Sequence, residues 1–424
     1  MLNLPSIQAV DAAGEKLGFI RPLYESYCFA NLPQFVVRLL TGKGGLGLPE
    51  DVLGGLPRRY DSVVLFFIDA FGWAFLEPRL QQFPVLRQIL ETGVVSKLTS
   101  MFPSTTAAHV TAIHTGLPPA QSGVYDWFQH EPSLDAMIAP LLFSFAGDNS
   151  RDMLLTTPLK ATQLFPRQSI YTVLKRAGVD SFAFQSREFA RSSPNKVIMG
   201  NANIVPYKSL TEGLVRLRRL MLERKQPSYY FFYFSGIDSI GHMYGPDSVE
   251  FDAEIDTFLT TLERQFMTPL QNQIPGTLML LTADHGQVGS LPENTVYINQ
   301  VIPNMSAYIQ PDRHGGLRVP AGSPRDLFLH IKPEMLDEAQ TVLTEKLQGV
   351  AQVSRTASLI QEGYFGPGPM ADVFLERVAN LVVLPFEGES VYWYEKDKFE
   401  NHHYGSHGGL TRAEMEIPLL ASAF

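Results

Sequence analysis

Cysteine is almost absent from this chain. Of its 424 residues only Cys28 carries a thiol. No intramolecular disulfide can form, so secretion gains no support, and a multi-thiolate metal site is excluded. Positive charge is also scarce: 34 Lys and Arg stand against 43 Asp and Glu, a net charge of −9. Sequence-independent binding to nucleic acid needs a basic face, so no nucleic-acid polymer is expected as a partner. A small phosphorylated substrate stays open, because a metal ion can supply positive charge locally. No uncharged apolar run approaches the ~18 residues of a membrane span. The N-terminal MLNLPSIQAVDAAGEKLGF lacks the basic n-region and apolar core of a signal peptide. The expectation is a cytoplasmic chain with no membrane segment.

What the chain has is a set of buried-strand patterns. SVVLFFIDAFG (62–72), SYYFFYFSG (228–236) and GTLMLLTAD (276–284) are near-continuous apolar runs, as expected of strands buried on both faces. Shorter strands are expected over 93–100 and 181–185. Helices are expected over 31–40, 75–90 with breaks near Pro78 and Pro84, 106–116, 169–178, 210–223 and 246–266. The alternation predicts an α/β fold, a large mostly parallel sheet sandwiched between helices. The TGKGGLG of 41–47 reads as a flexible turn. It lacks the P-loop spacing and follows no strand. From about 290 the pattern changes to strand 325–332, helix 334–347 and strands 351–358 and 379–384. This predicts a smaller α+β insertion over 291–399 on a core of 1–290 and 400–424. Its aromatics, Tyr392, Trp393 and Phe399, either line a pocket or pack inside the cap.

Four places carry metal-type ligands: Asp69 after the first run, Asp238 with His242 in DSIGH, Asp284-His285 after the third run, and His407 in HHYGSHGGL. Each has a plainer reading alone, as a helix cap, a strand-exit turn or a loop histidine. Together they make one site a better account than four accidents. Asp238 and His242, at i and i+4, meet on one face if the segment is helical. Carboxylate and imidazole without thiolate suit Zn²⁺ or Mn²⁺. Six ligands exceed one tetrahedral zinc, which points to two divalent ions. Such a pair, about 4 Å apart, clamps the entering and leaving oxygens of a phosphoryl transfer. The hydroxyl to attack lies in FPSTTAAH (102–109), where Thr106 would open a helix whose free N–H groups favour a phosphoryl oxygen. Alternatively Thr105 and Thr106 are only N-caps.

These residues resemble the alkaline phosphatase superfamily, and within it the type I phosphodiesterase / nucleotide pyrophosphatase family. The segments that carry the resemblance are VVLFFIDAFG, FPSTTAAHVTAIHTGLPPAQSGVYDW, SGIDSIGHMYGP, TADHGQ and GSHGGLTRAEMEIPLL. The resemblance implies one zinc held by Asp238, His242 and His407. It implies a second held by Asp69, Asp284 and His285, with Thr106 as nucleophile at the metals. In nucleotide pyrophosphatases the run that begins at the nucleophile is usually Thr-Phe-Pro-Asn. Here it is Thr106-Ala107-Ala108-His109, so His109 stands where an amide would donate to a phosphate oxygen. His109 then either binds substrate or packs inside the helix; His114, further along, is taken as structural.

The function implied is a metal-dependent hydrolase of phosphoric esters, a phosphodiesterase or nucleotide pyrophosphatase working through a phospho-threonine. A phosphomonoesterase or phosphonate hydrolase on the same scaffold is the alternative. A metal-binding protein without catalysis is disfavoured by the presence of all six ligands and Thr106.

Overall fold

The computed structural model describes residues 1–14, 16–45 and 47–424; Leu46, in the turn expected over 41–47, lies outside them. Seven strands build the central sheet: β1 (Ser62–Ile68), β2 (Val94–Thr99), β3 (Asp180–Ser186), β4 (Asn203–Tyr207), β5 (Ser228–Phe234), β6 (Thr277–Thr282) and β7 (Glu416–Ala423). Their order is β2-β7-β6-β1-β5-β3-β4. Every neighbouring pair is parallel except those made by β7, which runs antiparallel to β2 and β6. All residues of β1 and β6 are buried. That burial on both faces explains their unbroken apolar runs.

The sequence reading did not anticipate β7. Its Pro418 argues against a central strand, since proline cannot donate to a ladder. The structure resolves the conflict by register. Pairing of β7 with β6 begins only at Leu419, opposite Thr282. Pro418 still contributes its carbonyl, which accepts from the Thr282 hydroxyl at 2.7 Å.

The expected helices are present, with ends that match or shift by a few residues. The 75–90 segment is three pieces, Trp73–Leu76, Glu77–Arg79 and Pro84–Thr92. Pro84 opens the last one, the position where a missing N–H costs nothing. A second, three-stranded antiparallel sheet pairs Leu327–Leu329 and Ala351–Arg355 with Leu381–Pro385 between them. The helix Leu336–Lys346 packs on it. The strand expected over 325–332 is shorter because Arg325 and Asp326 turn aside into buried polar contacts. The strand expected over 351–358 gives way at Thr356 to a helix, Thr356–Gln361. Tyr392, Trp393 and Phe399 are buried in the apolar cluster of this smaller sheet, so they pack its core. Among the described residues no helix is long and apolar enough to cross a membrane.

Candidate metal centre

The three central strands β6, β1 and β5 lie side by side and parallel, in register across Thr282, Phe67 and Tyr233. Adjacent strands are about 4.8 Å apart. Acids just past their carboxyl ends are therefore brought together by the sheet itself, at the edge where open α/β sheets bind ligands. Asp69 follows β1 directly. Asp284 lies just beyond β6. Asp238 sits in the first turn of the helix Gly236–Tyr244 after β5, with His242 one turn on.

Two of these loops meet at glycines. A Cβ on Gly72 would come within 2.6 Å of the Gly286 Cα, so neither DAFG nor DHG could approach this closely with larger residues. Ala70 adopts φ +60°, and its N–H donates to Asp284 Oδ1 at 3.1 Å. A left-handed alanine costs on the order of 1 kcal/mol, which the surrounding contacts must outweigh.

Asp69, Asp284 and His285 are almost fully buried. His285 Nε2 lies 3.5 Å from Asp69 Oδ1 and 3.3 Å from Asp284 Oδ2. The Asp238 carboxylate lies 3.2 Å from His242 Nε2 and 3.5 Å from His407 Nε2. The His285 and His407 rings stack at 3.6 Å. Donor atoms of Asp69, Asp284 and His285 fall within 4.8 Å of one another, as do those of Asp238, His285 and His407. His285 therefore stands between the two groups, and His242 approaches through Asp238.

The three histidines share one arrangement. Nδ1 of His242, His285 and His407 faces the carbonyl of Gly405, Gly286 and Ser104 at 2.7, 3.0 and 2.9 Å. A carbonyl can only accept, so Nδ1 carries the proton and Nε2 offers a lone pair to the site. This is how metal-binding imidazoles are oriented.

The electrostatics ask for a cation. Burial, then the charges of Asp284 and Asp238, push the Asp69 carboxyl well up. Burial also raises Asp284, to about 7. Asp69 Oδ1 and Asp284 Oδ2 are buried without a hydrogen-bond partner within the described residues, which is costly for a carboxylate unless an ion lies beside it. Burial pushes His407 down to about 4 and His285 well below its usual value, which keeps both neutral. Burial alone would raise Asp238, but the neighbouring His242 holds it well below the carboxylate range. The residues present fit divalent ions of nitrogen and oxygen preference.

Thr106 opens the helix Thr106–Thr115, and its Oγ1 lies 3.3 Å from His285 Nε2. Its side chain does not cap. The N-cap position belongs to Thr105, whose hydroxyl instead donates to the Tyr125 carbonyl. His109 departs from the substrate-binding role expected of it. It is fully buried; Nδ1 donates to the Thr105 carbonyl at 2.8 Å and Nε2 accepts from the Met101 N–H at 3.0 Å. Burial pushes it down to about 3. With both nitrogens engaged it pins the start of the Thr106 helix to the exit of β2. His114 is likewise buried, against the Tyr171 hydroxyl at 2.8 Å.

Sequence reasoning passed over several residues. Gln287 donates to Asp238 Oδ1 at 2.7 Å and to its carbonyl at 3.1 Å. Its amide fills a slot between two glycines: a Cβ would come within 2.0 Å of Gln287 Oε1 from Gly241 and 2.7 Å from Gly405. The Tyr233 hydroxyl donates to Asp69 Oδ2. The His403 ring stacks on His242 at 4.3 Å. A cleft of about 500 Å³, counting its open mouth, adjoins Thr106 and is walled by Trp127, Arg151, Gln185, Phe189, Asn195 and Tyr233. Only Gln287 had a signal, its place in TADHGQ.

Known proteins carry the same arrangement of strands. The chain is 18% identical to murine ectonucleotide pyrophosphatase / phosphodiesterase 5, with a TM-score of 0.60 over 85% of this chain and 87% of that one. The human form gives the same values. An inactive variant of the murine protein in complex with AMP gives a TM-score of 0.58. In sequence, human ectonucleotide pyrophosphatase/phosphodiesterase family member 1 is 22% identical over 251 residues, 56% of this chain. That match spans only 25% of the relative's own length. A family model described as type I phosphodiesterase / nucleotide pyrophosphatase matches residues 63–410, from the first buried strand past the last histidine of the site. With that span matched, and the sheet that carries its acids in place, the chain belongs to the type I phosphodiesterase / nucleotide pyrophosphatase family.

Proposed function

We propose that this protein hydrolyses phosphodiesters or nucleotide pyrophosphate bonds at a two-metal site, through a covalent phospho-threonine on Thr106. The observation that supports this most directly is the Thr106 hydroxyl beside His285, the residue common to both ligand groups. Asp238, His242 and His407 would hold one ion, and Asp69, Asp284 and His285 the other, with Thr106 facing it. Zn²⁺ suits this donor set best and Mn²⁺ is second. When bound, the ions supply Lewis-acid stabilisation of charge on the entering and leaving oxygens.

The chain's own residues do the rest. Thr106 Oγ attacks phosphorus in line, and the bond from phosphorus to the leaving oxygen breaks. The leaving alcohol or phosphate departs with its electron pair. Water then attacks the phospho-threonine, releasing the second product and restoring the Thr106 hydroxyl. Burial of the Thr106 helix fixes the angle of attack, and its first-turn N–H groups favour negative charge on the phosphoryl oxygens. On this reading residues 1–290 and 400–424 form the catalytic core, and 291–399 an inserted cap.

The test is Thr106→Ala in protein loaded with both ions. Turnover of a p-nitrophenyl phosphodiester should fall by at least about a thousandfold, as when other enzymes lose their nucleophile. Metal content and melting temperature should hold. Turnover retained within tenfold would remove the covalent step.

A further inference from the structure

The cleft beside Thr106 is lined by a cation that has no ion pair among the described residues. Arg151 lies at its mouth, with Cζ over the Phe189 ring at 5.4 Å from the centroid. Its guanidinium has no ion pair and no hydrogen bond within the described residues; Glu188 and Asp152 act on it only from a distance. Three arginines elsewhere in the chain are paired. Arg79 meets Asp252, Arg325 meets Glu414 and Arg377 meets Glu131.

The position of Arg151 is built. Asp152, next in the chain, adopts φ +63°. Its carboxylate accepts from the Ser193 N–H at 3.2 Å, and its own N–H donates to the Leu142 carbonyl at 2.8 Å. Opposite, Asn195 holds the Phe189 carbonyl at 2.9 Å. Phe189 packs edge-on against Tyr233 at 5.8 Å, and Tyr233 donates to Asp69. A continuous run of contacts thus links Arg151 to a carboxylate of the metal centre.

The turn that carries Phe189 and Ser192 into the cleft also carries Arg187 and Arg191 into a hollow they share with Arg216. Glu212 is the counter-charge there, 4.0 Å from Arg187 and 3.6 Å from Arg216. Arg151, Arg187, Arg191 and Arg216 outnumber Asp152, Glu188 and Glu212 here, so in a chain of net charge −9 this region is locally positive. Such a region draws anions toward the cleft. A guanidinium parked on an aromatic face keeps its in-plane donors free for an oxyanion.

Resting on the phosphodiesterase reading above, we infer that Arg151, seated on Phe189, binds an oxyanion that the substrate carries away from the reacting phosphorus. The substrate is then an ester whose alcohol bears a carboxylate or a second phosphate, with Thr106 and Arg151 lining the same cleft. Arg151 acts as a specificity residue and takes no part in bond making.

The experiment compares four p-nitrophenyl phosphodiesters with the metal-loaded protein. They differ only in the second alcohol: methyl, carboxyethyl, phosphoethyl or trimethylammonioethyl. The two anionic arms separate a carboxylate from a phosphate as the preferred oxyanion. The wild type should prefer at least one anionic ester over the methyl ester by roughly tenfold or more in kcat/KM, mostly through KM, as a charge-assisted hydrogen bond implies. Arg151→Gln should bring that ratio to near one, and Arg151→Lys should keep part of it. Arg151→Glu should turn the preference toward the trimethylammonioethyl ester. A residue that only shapes the wall would lower all four equally. That result, or a wild type indifferent to charge, overturns the inference. Absence of wild-type turnover on every diester would instead remove the phosphodiesterase reading. The subsite is then judged by calorimetric binding of the matching non-hydrolysable phosphonates, where the same charge ranking is expected and its absence refutes it.

Discussion

Replacing Gln287 by Leu should weaken one of the two proposed ion positions and largely spare the other. The amide donates twice to Asp238, to Oδ1 at 2.7 Å and to the carbonyl at 3.1 Å. It donates to neither Asp69 nor Asp284. A hydrogen bond to a charged group contributes about 1.5–3 kcal/mol, and ~1.4 kcal/mol is tenfold in an equilibrium constant. Affinity at the Asp238 position should therefore fall roughly 10- to 100-fold, the range found when partners of metal ligands are removed. Leu roughly keeps the volume that the slot between Gly241 and Gly405 demands. Gln287→Glu should cost more, because it sets a second carboxylate against Asp238. The assay strips the protein with a chelator and titrates Zn²⁺ back against a chromophoric competitor, which resolves two affinities. The melting temperature of the stripped protein serves as the folding control. Unchanged affinities in Gln287→Leu would refute the reasoning. So would equal losses at both positions, since the amide would then be supporting the fold as a whole.

Arg325→Met breaks a buried pair in which the guanidinium meets Glu414 at 3.0 and 2.9 Å and also donates to the Pro385 and Phe386 carbonyls. It should cost about 3–5 kcal/mol, read as a large drop in the urea midpoint; a shift equivalent to less than ~1 kcal/mol would mean that Glu414 finds other partners. The raised carboxyls give ion binding a definite pH sign. Asp284 is pushed up to about 7, with Asp69 also raised, so an incoming cation must displace a proton below pH 7. Affinity at that position should weaken about tenfold per unit as pH falls below ~7 for one displaced proton, and level off above. Calorimetry at pH 6 in buffers of different ionisation enthalpy measures the proton released, and finding none would refute the assignment.

The parts of this molecule that could be read in the sequence share a physical reason. Strands buried on both faces must be continuously apolar, so an acid at the end of VVLFFI, or just past LMLLT, stands out. Parallel neighbours then bring those acids together with no further information. What was missed depends on partners distant in sequence. Gln287 differs from an ordinary surface glutamine only because two glycines, at 241 and 405, leave it a slot. Arg325 and Glu414 are 89 residues apart, and nothing local marks either as a partner. The sequence leaves His109 between two roles, because it cannot show whether an imidazole's two nitrogens are already engaged. Strand β7 was hidden by a proline that only the register explains. The cleft beside Thr106 is drawn from the 106–110, 151, 185–195 and 233 segments, and no motif joins them.

The place of β7 bears on how the protein is made. A ribosome delivers the two carboxylates Asp69 and Asp284, with His285, long before His407. At about 5–20 residues per second the gap from 284 to 407 lasts roughly 6–25 s. Throughout that interval β2 and β6 have no strand between them, because β7 comes later still. The emerging chain thus holds a pair of crowded acids and an open seam in its principal sheet. A chain cut before residue 416 would leave that seam available to other unpaired strands. The order of synthesis makes residues 405–423 the checkpoint at which this protein passes from an aggregation-prone nascent chain to a closed, ion-ready one.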